Sequence, residues 1–119
     1  MPDLGEFKYD NLFAGHVAPV VVGAETITGG TYVRGTVLGL VTASGKLKAV
    51  DNAQTDGSEA VYAILSRDTD ASEGDVEAPV YYTGEFNERS LVFGGDDTAA
   101  DHKVGARKLG LFFKNTVAA

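Results

Sequence analysis

His16 and His102 are the chain's two histidines, and it has no cysteine. A zinc centre needs three or four nitrogen, sulfur or oxygen ligands converging on one point. Neither histidine has a third ligand at a familiar metal spacing, so each reads as an ordinary polar side chain. Sulfur ligation of zinc or iron is excluded. The segment "DTDASEGDVEAP" opens like a calcium loop, with Asp68, Asp70 and Ser72 at positions one, three and five. Such a loop needs glycine at position six and a bidentate glutamate at twelve. Here those places hold Glu73 and Pro79, so the match fails where the geometry is most demanding. Ser44, Ser58, Ser66, Ser72 and Ser90 lack the strand-turn-helix setting of a serine nucleophile. Ser44 and Ser58 lie beside glycines, where turn formation explains them. The pairs Asp96-Asp97 and Glu85 with Glu88 could carry acid–base chemistry. With seventeen acids in the chain, such pairs arise without catalytic purpose. No glycine-rich phosphate-binding pattern occurs. The expectation is no enzyme: no catalytic residue, no cofactor and no metal.

The chain has 119 residues, enough for one domain with one modest core. Seventeen Asp and Glu against ten Lys and Arg give a formal charge of -7. Residues 1–60 carry seven acids and four bases, and residues 61–119 carry ten and six, so the excess is spread along the chain. A spread acidic excess argues against direct nucleic-acid binding, which relies on clustered Lys and Arg to displace counterions. It argues equally against anionic membranes. No apolar run approaches the roughly 20 residues that span a bilayer. The start, "MPDLGEFKYDNLF", is acidic and mixed, unlike a secretory signal.

These residues must be held by short strands. Fifteen glycines punctuate the chain. Val17 to Val22 favours a strand, with Pro19 near its start. Tyr32 to Val41 alternates loosely and is broken by Gly35 and Gly39. Val37–Thr42 and Lys46–Val50 read as a hairpin across Ala43-Ser44-Gly45. Ala60 to Leu65 and Val80 to Thr83 read as further strands, separated by an acidic loop, Asp68–Glu77, with five acids and no base. Leu91 to Phe93 is again apolar. The period then changes. Thr98 can cap a helix beginning at Ala99, with Asp101 three residues on. Ala100, Val104, Arg107 or Lys108, and Leu111 give its spacing, and Gly110 suits its left-handed end. A last strand follows at Leu111 to Phe113.

Two stretches stand apart. Residues 1–16 carry Leu4, Phe7, Tyr9, Leu12 and Phe13 without a clean strand or helix period, as an arm would. Those side chains either pack on their own domain or order against a partner. In "VYYTGEFNERSLVF", Gly84-Glu85-Phe86-Asn87 sits between two apolar runs. Gly84 suits a turn or bulge and Asn87 suits a turn. Phe86 is either a core plug or an exposed anchor, so this stretch is a structural corner or an interface.

The ordered combination of "RGTVLGLVTASGKLKAVDNAQTDGSEAVYAIL", the acidic loop, "VYYTGEFNERSLVFGG", an alanine-containing helix and "GLFF" resembles the lambda-type head decoration proteins D of tailed bacteriophages. The resemblance spans Thr28 to Phe113. It implies a mainly β domain with one short C-terminal α-helix, compact and β-barrel-like or β-clip-like. It implies a structural cement in the virion: a homotrimer on the outer capsid surface that braces neighbouring major capsid proteins after head expansion, present in the host cytoplasm before assembly. It also implies a flexible N-terminal arm, residues 1–18, that orders on the capsid, followed by a single domain over 19–119. Phe7, Tyr9, Leu12 and Phe13 are then the capsid-binding anchors. This arm is richer in large apolar residues than that of the lambda protein. A small β-rich module binding protein or carbohydrate is the competing reading.

Overall fold

β-Branched residues fit the pleated, half-buried surface of a sheet. The first strand of the computed structural model, β1, is accordingly valine-rich at its start and spans Val21–Ile27. The structure describes residues 20–114. Of the strand expected at Val17–Val22, Val21 and Val22 lie in β1, which runs on to Ile27; residues 17–19 lie outside the described residues. The remaining strands are β2 (Thr31–Tyr32), β3 (Val37–Val41), β4 (Lys46–Ala49), β5 (Val61–Leu65), β6 (Thr69–Asp70), β7 (Val76–Asn87) and β8 (Leu111–Lys114). One helix, α1, spans Ala99–Leu109. The expected fold class, mainly β with one short C-terminal helix, is the one observed.

The main sheet has the order β1-β4-β3-β5-β7-β8, and β1 also pairs with β7. The first five strands of that order therefore close on themselves as a ring, and β8 extends β7 beyond it. The β3–β4 hairpin has the expected pairing, from Leu38 opposite Ala49 to Val41 opposite Lys46. Gly45 (φ 74°) turns it and donates its N–H to the Val41 carbonyl at 2.8 Å. The expected strand from Tyr32 to Val41 is instead split, because β2 pairs with β6 in a small separate sheet. The acidic loop contains β6 and the start of β7.

Side-chain alternation divides the core in two. Ile27, Leu38, Leu47, Ala63, Leu65, Ala78 and Val80 come from all five ring strands and fill the ring. Their neighbours Val37 and Ile64 face the other way. They meet Val50, Phe86, Leu91, Ala106, Leu111 and Phe113 in a second core, which α1 and β8 help to build.

Helix α1 has the expected bounds. The Thr98 N–H donates to the Asp101 carboxylate at 2.8 Å. Gly110 closes the helix in the left-handed conformation, φ 94° and ψ 13°. Its buried face differs from expectation: His102 and Ala106 point inward, while Ala100 is exposed and Val104 is 67% exposed. Hydrophobic spacing ranks valine above histidine. Here a small residue lets the helix approach the sheet, and a ring with a satisfied polar edge packs beside it.

Candidate functional site: a strand corner and a basic apolar groove

The stretch Gly84–Asn87 does not separate two strands. It continues β7 while changing that strand's partners. Up to Thr83 the strand pairs with β1, and from Gly84 it pairs in parallel with β8, Gly84 opposite Leu111 through Asn87 opposite Lys114. The register with β1 slips between Val21 and Val22, which leaves Tyr82 as the extra residue of a bulge. Gly84 follows at φ 145°, a backbone conformation that side chains disfavour. Bulge and glycine together re-aim the strand out of the ring. Phe86, the next side chain on that face, is fully buried in the second core, its ring centroid 5.8 Å from that of Tyr81. Asn87 ends the strand, its side-chain oxygen accepting from the Arg89 N–H at 3.1 Å. In this single chain Phe86 is therefore a core plug. Glu85 is buried on the opposite face, and its carboxylate meets the half-exposed Lys114 ammonium at 2.6 Å.

The other chemistry-bearing residues are engaged in structure. Asp70 accepts from the Ser72 N–H, the Ser72 hydroxyl and the Thr31 hydroxyl at 3.0, 2.6 and 2.9 Å. These bonds hold its carboxyl below the usual range, the Ser72 hydroxyl first. Asp68 accepts from the Arg34 N–H. Asp56 repeats the device with Ser58, supported by Lys48, and its carboxyl is held far below the usual range. The acid pairs separate: Glu88 pairs with Lys103, and Asp97 with His102. His16 and the arm residues Phe7, Tyr9, Leu12 and Phe13 lie outside the described residues.

Two arrangements went unread in the sequence. His102 Nε2 lies 2.5 Å from Asp97 Oδ2, with both side chains buried. The same carboxylate oxygen accepts the Asn52 N–H at 2.8 Å, and Phe93 stacks on the imidazole at 10° between planes. The signal was an aspartate just before a helix and a histidine in its first turns. The second is a groove of about 200 Å³ between α1 and β8, lined by Lys103, Val104, Arg107, Phe112, Phe113 and Lys114. Cations and apolar surface meet there on an otherwise acidic protein. Val20 and the start of β1 are also apolar and open, with Val20, Val21 and Val22 each about half exposed.

A closed ring of short strands, a re-aimed strand and one capping helix make a scaffold whose open features are surface ones. A family model for the bacteriophage lambda head decoration protein D matches residues 5–110. The chain belongs to this family. Membership makes it a phage head decoration protein, associated with the capsid of the virion, and the family is structural. The decoration-protein match takes in the Gly84–Asn87 corner, all of α1 and much of the segment before residue 20. No curated protein matches the chain. Among the described residues no helix is long and apolar enough to cross a membrane.

Proposed function

We propose that this decoration protein binds the outer surface of the expanded head as a homotrimer and stabilises contacts between major capsid protein subunits. Residues 1–18 serve as the arm that orders on the capsid, with Phe7, Tyr9, Leu12 and Phe13 as its anchors, and residues 19–119 form the bracing domain. The observation that carries this reading is the family match over residues 5–110. The half-exposed valines at Val20–Val22 support it, because they extend the apolar character of the arm onto the folded domain. Trimerisation would turn one arm contact into three and raise avidity once the first has formed. An arm strand laid on an exposed sheet edge gains backbone hydrogen bonds. Aromatic burial adds roughly 25 cal/mol per Å² before ordering costs. The acidic surface limits association with nucleic acid.

The test mixes the protein with expanded, undecorated heads of its own phage. Bound copies are counted, and the heat resistance of the heads is measured with and without the protein. The expected result is saturable binding that raises the disruption temperature and weakens when residues 2–16 are deleted. Heads that bind no protein overturn the reading. Binding unchanged by the deletion overturns the role of the arm. Sedimentation of the free and head-bound protein reports the trimer.

A further inference from the structure

We infer that Asp56-Gly57 is this domain's site of isoaspartate formation, held closed in the folded chain by its own hydrogen bonds and opened when residues 51–60 come away from the sheet. The inference is independent of head attachment and of the arm.

Among aspartate sites, Asp-Gly is the most prone to this rearrangement, because glycine places no side chain in the path of attack and leaves the backbone free to adopt the reactive angle. The sequence holds one Asp-Gly and no Asn-Gly. In the reaction the Gly57 amide nitrogen attacks Asp56 Cγ. A C–N bond forms, the carboxyl hydroxyl leaves with the amide proton as water, and a five-membered succinimide results. Water then opens that ring. Attack on its α-carbonyl leaves the chain running through Cβ and Cγ, with the α-carboxylate free. One water is released and one consumed, and no other reactant is needed.

Three side chains hold the reaction back in the fold. The Ser58 N–H and hydroxyl donate to Asp56 Oδ1 at 3.0 and 2.6 Å, and the Lys48 ammonium lies 3.0 Å from Oδ2. These contacts keep the group ionised, and a carboxylate oxygen leaves poorly. The Gly57 N–H donates to Glu59 Oε1 at 2.8 Å, and a negative charge beside that amide opposes release of its proton. The backbone is fixed as well. The Thr42 N–H donates to the Asp56 carbonyl at 2.9 Å, and the Asp51 N–H to the Ser58 carbonyl at 3.1 Å. Exclusion of water is not the protection, because the Asp56 side chain is 36% exposed. Nor does the fold readily accept another residue after Asp56. Gly57 has φ 108°, and a Cβ there would collide with Thr42 Oγ1 and lie 2.6 Å from the Leu40 carbonyl oxygen. A vulnerable pair is therefore built into the domain. Once it isomerises, the extra backbone carbon displaces the Thr42 and Ser58 contacts, so an opening here leaves a permanent mark on the chain.

The test incubates the full-length protein near neutral pH, once folded and once in concentrated guanidinium chloride, at one temperature below the melting transition. Isoaspartate in the tryptic peptide of residues 49–67 is read by methyl transfer from a protein isoaspartyl methyltransferase, and fragmentation assigns its position. The expected rate at Asp56 is about tenfold or more higher in the unfolded chain, since the folded chain reacts only through local opening. Equal rates overturn the inference, as does an unfolded chain that isomerises faster at Asp51 than at Asp56. Ser58→Ala removes the hydroxyl donor, and Glu59→Ala frees the Gly57 N–H. Each is expected to speed isomerisation severalfold in a chain that stays folded by circular dichroism. Glu59 is exposed, so its variant keeps the test open should loss of the buried Ser58 hydroxyl unfold the domain. Unchanged rates in the folded variants overturn the protective role of these side chains.

Discussion

Gly84 donates its backbone N–H to the carbonyl of Gly110 at 3.0 Å. Both glycines have positive φ, 145° and 94°. One re-aims β7 out of the ring, and the other ends α1 and starts β8. This single bond ties together the two changes of chain direction that build the second core. A Cβ on Gly84 would also lie 3.1 Å from the Phe86 ring, and one on Gly110 would lie 3.0 Å from Thr83 Cγ2. Gly84→Ala and Gly110→Ala should each lower unfolding free energy by roughly 1–3 kcal/mol. Gly105 is the internal control. It is helical and a Cβ there meets nothing within 4 Å, so Gly105→Ala should add about 1 kcal/mol. Urea midpoints at constant slope decide the matter, and a neutral Gly84→Ala would remove the corner from this account.

Phe86 has no exposed surface and packs among Val37, Ile64, Leu111 and Phe113. Phe86→Ala should cost about 3–5 kcal/mol, the range for emptying a buried aromatic site. Any fall in head binding by this variant should track the fraction unfolded. A folded, stable Phe86→Ala protein that fails to bind heads would instead make this ring an interface anchor.

Much of this fold was legible because local rules and global packing agreed. Ala43-Ser44-Gly45 can make only a tight reversal, and the flanking residues pair as expected. Thr98, Asp101 and Gly110 mark both ends of α1 through backbone chemistry that needs no tertiary knowledge. The corner was misread because glycine, glutamate, phenylalanine and asparagine together look like a turn. What keeps them extended is β8, more than twenty residues later, and no local rule sees that partner. The inward face of α1 was misread for a related reason. His102 is buried because Asp97 and Phe93 receive it, and periodicity counts apolar atoms but not partners. The continuation of β1 beyond Val22 to Ile27 was unread because valine-rich sequence sets the propensity, while pairing with β7 sets how far the strand runs.

The His102–Asp97 pair pins α1 to the loop before it and to the chain at Asn52. Asp97→Ala removes an acceptor shared by the imidazole and the Asn52 N–H, leaving two donors unmet in a buried place. Each such loss costs about 1–3 kcal/mol. His102→Phe keeps the stack on Phe93 but leaves the carboxylate buried beside a ring without a donor, so it should also destabilise. The double variant Asp97→Ala with His102→Phe should cost less than the sum of the singles, because the two groups act as a unit. Additive losses in denaturant melts would show that the pair is not energetically coupled.

Beside the core that fills the ring, Tyr62 and Tyr82 belong to a titrating cluster with a defined sign. The Tyr82 hydroxyl donates to the Glu25 carboxylate, and its pKa is pushed up to about 12. The hydrogen bond to Glu25 is the largest cause, followed by burial and by the negative charge of Glu25. Tyr62, edge-on to Tyr82 with centroids 6.1 Å apart, is shifted upward as well, mainly by burial. The folded state therefore holds these protons more tightly than the unfolded chain, where tyrosine titrates near 10.0. Their contribution to stability is complete below that value and is lost as pH rises through the folded value. Denaturant midpoints should accordingly fall between pH 10 and 12. Tyr82→Phe should flatten that fall without abolishing it, since Tyr62 still titrates. Glu25→Gln removes the charge and should return the Tyr82 transition, read by tyrosinate absorbance, toward the ordinary range. A wild-type slope in Tyr82→Phe would mean that the alkaline loss originates elsewhere in the molecule.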